Sequence, residues 1–118
     1  MLARANRIVR ADDYRNTVRR GRKSGTAHSV VYVRRRDDDL VRFGFIVAKT
    51  VGNAVARNTV RRRLKHVCHE ILPGVPPGTD VVVRALPGSA DAPWSALRQD
   101  VVAAVTRARA VRTGEVLR

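Results

Sequence analysis

At 118 residues the chain has the size of one domain, and its 44% hydrophobic content suffices for one core of moderate size. Lys and Arg total 24 against 10 Asp and Glu, a formal net charge of +14 that exceeds what solubility requires and implies a polyanionic partner. The chain is only 4% aromatic, too few for the Trp and Phe that a membrane-surface helix sets opposite its basic face, so nucleic acid is the expected polyanion. Cys68 is the only cysteine, which excludes an intrachain disulfide and fits a reducing cytoplasm. No signal peptide is recognisable, and no run of about 18 apolar residues suggests a membrane span.

Met1 to Arg10 is basic and aperiodic, and reads as a mobile arm. A short helix follows over Asp12 to Arg20: the two acids suit its first turn, Tyr14 and Val18 share a face at i, i+4, and Gly21 ends it. Arg22 to Ala27 reads as a flexible basic stretch. His28 to Arg36 has the valines of a strand buried on both faces. Asp37, Asp38 and Asp39 favour a turn, because adjacent carboxylates repel, so Leu40 to Ala48 is expected to pair back as the second arm of a hairpin. From Ala54 to Ile71 the residues Ala56, Val60, Leu64, Val67, Cys68 and Ile71 make one apolar helical stripe. Pro73, Pro76 and Pro77 break that helix, and Asp80 to Leu86 carries the valines of a further strand. Asp91 and Pro93 open a last helix with Trp94, Leu97, Val101, Ala104, Val105 and Ala108 as its buried stripe, and a basic tail is expected after Arg109. The order is helix, two or three strands, helix, strand, helix, an α+β or α/β sandwich on a mixed sheet.

Stepped at 100° per residue from Val60, the polar side of the central helix runs through Arg57, Arg61, Lys65, Asn58, His69 and Arg62. A solvated charged face is the ordinary explanation of such residues. Here only Glu70 within the helix could balance so many cations, and like charges at i, i+4 (Arg57, Arg61, Lys65) each cost ~0.2 to 0.5 kcal/mol. Phosphates would remove that repulsion. Arginine's donor fork grips phosphate oxygens in pairs, and Asn58 offers a donor and an acceptor to sugars or base edges.

The segment Lys49 to Lys65, KTVGNAVARNTVRRRLK, closely resembles the signature of the bacterial ribonuclease P protein subunit. The resemblance extends over roughly Asn6 to Ala108, through NRIVRADDYRNTVRRG, RFGFIVAK and DVVVRA. It implies a single α+β domain whose core spans about 6–108. The fold implied is a two-layer sandwich in the order α-β-β-β-α-β-α, with a four-stranded mixed sheet and a left-handed βαβ crossover, like domain 2 of ribosomal protein S5. It further implies that Arg57, Asn58, Arg61, Arg62 and Lys65, with Lys49 at the start of the signature, contact the RNA subunit. Thr59 and Thr50 stand where the family often has basic residues, and each removes a charge without changing the register. In the family, a cleft between the first helix and the sheet grips the single-stranded 5′ leader of precursor tRNA, and the matching positions are Tyr14, Val18 and Tyr32. Aromatic faces stack on unpaired bases of any sequence, though Val18 departs from the usual aromatic. Read without the family, Tyr14 and Tyr32 are ordinary core residues. The resemblance also implies that the RNA subunit carries the active site, and that the Mg2+ of the holoenzyme is held mainly by RNA.

No catalytic or metal-binding set of protein residues is expected. Helical geometry turns Cys68 toward the core and His66 and His69 to other faces, leaving both histidines RNA-facing or solvated, and zinc needs four converging ligands. Three adjacent turn aspartates do not make the paired-ion clamp of a nuclease. Two other classes fit the charge: a ribosomal or ribosome-assembly protein, and a histone-like DNA packager, which would need a dimer for which the chain has no heptad seam.

Overall fold

Three consecutive valines, Val81, Val82 and Val83, are each 0% exposed, and the strand they form lies inside the sheet. The computed structural model describes the backbone of residues 2–112 and the side chains of residues 2–108. In chain order the elements are α1 (Ala11–Arg20), β1 (Arg22–Gly25), β2 (Ser29–Arg35), β3 (Val41–Ile46), α2 (Ala54–Ile71), β4 (Thr79–Ala85) and α3 (Trp94–Arg112). The strands are ordered β1-β2-β4-β3, with β4 antiparallel to β2 and parallel to β3. The sheet is therefore mixed, α2 connects two parallel neighbours, and the α-β-β-β-α-β-α order stands. The basic tail expected after Arg109 lies outside the described residues beyond Arg112, up to which α3 continues.

The expected hairpin between β2 and β3 does not form. Asp37 to Asp39 make a bend, but the strands they connect both pair with β4, which lies between them. Thr79 to Val83 of β4 are all buried, as befits a strand flanked by β2 and β3 and covered on both faces. The stretch from Arg22 expected to be flexible instead supplies β1, whose residues Arg22 to Gly25 pair with Val33 to Val30. The N-terminal arm is also packed: Leu2 and Ile8 are buried, the Asn6 side chain donates to Val41 O at 2.8 Å, and the Ile8 N–H donates to Phe43 O at 2.9 Å. The core thus begins ahead of Asn6.

The sheet separates two apolar layers. On one face Val60, Leu64 and Val67 of α2 and Leu97, Val101 and Val105 of α3 pack with Val31, Val33, Phe43 and Val81. On the other, Ile8, Tyr32 and Val82 are buried, with Tyr14 and Val18 of α1 packed on them beside Val30 and Ile46. Two close approaches seat α1. A Cβ at Gly21 would lie 2.5 Å from Thr17 O and 3.0 Å from Val33 O, so the helix can end against β2 only with glycine there. A Cβ at Gly44 would lie 2.5 Å from the Tyr14 ring, whose hydroxyl accepts the Phe45 N–H at 3.2 Å.

One polar knot ties α1 to the strands. Asp80 is 0% exposed and accepts from Arg36 Nη1 at 2.6 Å, Arg42 Nε at 2.9 Å and Arg42 Nη2 at 2.8 Å. Arg42 reaches on to Asp13 of α1 at 3.2 Å, and Arg36 also pairs with Asp38. The Asp80 contacts hold the Arg42 guanidinium above its ordinary pKa. Asp38, which also accepts the Leu40 N–H, lies below the usual carboxylate value.

Two outcomes are expected in urea unfolding. Asp80→Ala takes three hydrogen bonds from two partly buried guanidiniums, each left with one other carboxylate, and should lose about 3 kcal/mol, and a variant as stable as the parent would show that the knot is not an anchor. Gly44→Ala displaces the Tyr14 ring and should lose about 0.5 to 1.5 kcal/mol, the worth of the Tyr14–Phe45 hydrogen bond.

Candidate nucleic-acid interface

Helix α2 is fixed at its start. Asn53 is the N-cap, its side chain accepting the Ala56 N–H at 2.9 Å, and a 3-10 turn over Lys49–Val51 precedes it. Val60, Leu64, Val67 and Cys68 are each 0% exposed, so the stripe read from periodicity is the face that meets the core. Burial pushes the Cys68 thiol far up, leaving it an inert apolar group.

The opposite face carries Arg57, Asn58, Arg61, Arg62 and Lys65. Asn58 and Arg62 are exposed, the other three are half-buried, and Lys49 is exposed at the head of the segment. Among the described residues neither these four helix cations nor Lys49 forms an ion pair with a carboxylate. Glu70, the one acid of α2, turns instead to Arg98 of α3 at 3.2 Å. Arg61 Nη1 donates to Asn58 Oδ1 at 3.1 Å, which holds that arginine against the residue one turn earlier. Arg57 Nε is buried with no acceptor among the described residues. A row of cations is thus held on a rigid element with its charge uncompensated.

The arc continues into the sheet. Arg61 and Lys65 line a groove of about 170 Å³ together with Arg7, Val9, Tyr14 and Phe45. On the far side of Tyr14 a second, almost wholly apolar notch of about 320 Å³ is lined by Tyr14, Arg15, Val18, Arg19 and Ile46. Tyr14 borders both. The structure therefore brings Tyr14 and Val18 together at one surface and connects them, through Tyr14, to the cations of α2.

Tyr32 does not join them. It is 4% exposed in the second apolar cluster, so its ring faces are occupied by the protein and offer no stacking platform. Phe45, Ile46, Arg15 and Arg19 also line this surface, and sequence reasoning does not single them out. For the arginines the available signal is their i, i+4 spacing, one position beyond Tyr14 and Val18. Phe45 and Ile46 need the strand register. His66 is exposed and lies edge-on to Trp94 with ring centroids 5.4 Å apart, and His69 is exposed. No group of three or more His, Cys, Asp or Glu is placed to hold a metal among the described residues.

Residues 2–109 match the family model described as Ribonuclease P. A ribonuclease P protein component of Clavibacter michiganensis subsp. michiganensis is 53% identical over 114 residues, covering 96% of this chain and 99% of that one. The component of Streptomyces griseus subsp. griseus is 44% identical over 116 residues, covering 91% and 94%. Two solved structures share the fold at low identity. The RNase P protein of Staphylococcus aureus superposes with a TM-score of 0.79 at 23% identity over 89% of this chain and 96% of that one. That of Thermotoga maritima gives 0.76 at 21% identity over 86% and 96%. With the family model matching residues 2–109 and a relative 53% identical along nearly the whole of both chains, the chain belongs to the ribonuclease P protein family.

Proposed function

We propose that this protein is the protein component of ribonuclease P, working in the cytoplasm with a catalytic RNA subunit to remove the 5′ leader from precursor tRNA. The observation that carries the reading is the α2 face: four cations on one side of a helix, none neutralised by a carboxylate among the described residues. The forks of Arg57, Arg61 and Arg62 suit phosphate oxygens, Lys65 and Lys49 add point charges, and Asn58 can meet a sugar hydroxyl or base edge. Packing of Val60, Leu64 and Val67 sets these donors in place before RNA arrives, so little ordering is left to do on binding.

The leader is assigned to the notch beside α1. Tyr14 gives one ring to an unpaired base, Val18 and Ile46 give apolar contact, and Arg19 lies within reach of the backbone. Such contacts tolerate any base, which a leader of variable sequence demands. The protein supplies position and charge, and bond cleavage is left to the RNA. Asp37, Asp38 and Asp39 follow one another in a single bend, with Asp38 committed to Arg36, and do not fit a two-ion clamp, so the reaction's Mg2+ is assigned to RNA oxygens.

Reconstitution tests the reading: at low Mg2+ the protein should restore cleavage of precursor tRNA by the RNA subunit, and no gain over RNA alone would overturn it. Arg57→Ala with Arg61→Ala should weaken binding to the RNA subunit and lower the slope of log K against log salt by about one for each phosphate no longer neutralised. Tyr14→Ala should leave that assembly intact. It should reduce the preference for precursor over mature tRNA by on the order of 1 kcal/mol, measured as the ratio of their dissociation constants from the assembled enzyme.

A further inference from the structure

The α2 arc is not the only uncompensated charge. Arg20 at the end of α1, Arg22 of β1, and Arg34 and Arg35 of β2 line one cavity of about 390 Å³ with Val33. Among the described residues none of the four has a carboxylate within ion-pair distance. For Arg34 this follows from a choice the fold makes. Asp80 is its direct partner across the β2–β4 register, yet both Asp80 oxygens are taken by Arg36 and Arg42. Asp38, the nearby acid of the bend, is likewise held by Arg36, and Asp13 by Arg42. Three carboxylates near this cluster are thus committed elsewhere, and Asp37 and Asp39 of the bend form no ion pair with it among the described residues.

A charged edge strand that deters pairing with another sheet would explain Arg22 and Lys23 on β1. It does not explain Arg34 and Arg35, which belong to an inner strand, or Arg20, which belongs to a helix. Four guanidiniums around one hollow repel one another, and the ligand that removes the repulsion is a phosphate chain, whose oxygens accept their paired donors.

The position separates this surface from the other two. It borders β1 and β2, whereas α2 contacts β3 at the other edge of the sheet. Arg34 lies in the row with Asp80 and Arg42, and Ile46 of the leader notch in the row with Arg84 and Val30. The rows are four residues apart, about 13 Å along the strands, and α1 crosses between them with Tyr14 over Gly44. A substrate must be released at each turnover, and extra binding held equally by substrate and product slows that release. A resident partner has no such constraint. Building on the reading above, we propose that Arg20, Arg22, Arg34 and Arg35 form a second docking surface for the phosphodiester backbone of the RNA subunit, so that this RNA meets the protein at both edges of the sheet.

The test uses the full chain with Arg20→Gln/Arg34→Gln and Arg22→Gln/Arg35→Gln, titrated with the RNA subunit across a range of salt. Each pair should lower affinity by about tenfold at moderate salt and reduce the salt slope by about two, with the precursor-over-mature preference of the assembled enzyme unchanged. Unaltered affinity and slope would overturn the proposal, as would a loss seen only in precursor tRNA binding. A photo-crosslinker on Asp37→Cys gives an independent readout, because Cys68 is fully buried and takes no label. Crosslinks to the RNA subunit are expected, and none, or crosslinks to precursor tRNA alone, would count against the surface. Arg57→Ala/Arg61→Ala separates the two readings. If it weakens RNA-subunit binding while both glutamine pairs do not, only the second surface fails. If the parent protein does not bind that RNA at all, the function itself fails.

Discussion

A fully buried carboxylate organises this domain. Asp80 stands in the row of the sheet that α1 begins on, and removing a carboxylate from water is costly unless its oxygens are fully bonded. Arg36 and Arg42 supply three bonds, and Arg42 carries the chain of contacts on to Asp13. The end of β2, the start of β3, the start of β4 and the first turn of α1 are thereby set relative to one another. Two surface features on the α1 side depend on that setting. Tyr14, next in sequence to Asp13, is placed over Gly44 at the notch, and Arg34 is left without the partner its register would give it.

The distribution of acids matters as much as the excess of bases. With 10 acids against 24 bases, most cations must remain unpaired, and the fold determines which. Asp13 and Asp80 go to Arg42, Asp80 also to Arg36, Glu70 to Arg98 and Asp100 to His28 at 2.8 Å, pairs that join distant segments, while Asp38 and Asp12 pair locally with Arg36 and Arg15. Among the described residues Arg57, Arg61, Arg62 and Lys65 receive none. A surface prepared in this way is more than a net charge, since its donors stand on packed elements with their repulsion already built in.

Periodic elements are legible in the sequence and neighbour relations are not. The stripe of α2, from Val60 to Cys68, and that of α3, from Leu97 to Ala108, repeat at helical spacing, and both are the faces that the core buries. Which strand lies beside which is a long-range choice that alternation does not encode. The acidic run from Asp37 to Asp39 signals a bend and says nothing of the pairing across it, where β4, far along the chain, outcompetes β3 for β2. Leu2 and Ile8 are isolated apolar residues in a basic stretch and have no period to reveal them. Tyr32 is instructive in the other direction. Its strand reads from composition as buried on both faces, and its assignment to a leader site comes from the family resemblance. The local reading of the ring as core is the one the structure supports.

The repulsions within this basic domain are local. At physiological salt charges further apart than about 8 Å are largely screened, so the arc on α2 and the arginines beside β1 each repel within themselves and scarcely feel one another across the sheet. Each cluster then lowers stability separately, and each returns that free energy when phosphates neutralise it. Neutralising one cluster leaves the repulsion at the other in place, so the two clusters act on stability nearly independently. The same locality explains why the apolar layers need only ordinary valines and leucines. They oppose two modest strains held apart by the sheet rather than the self-energy of the whole charge.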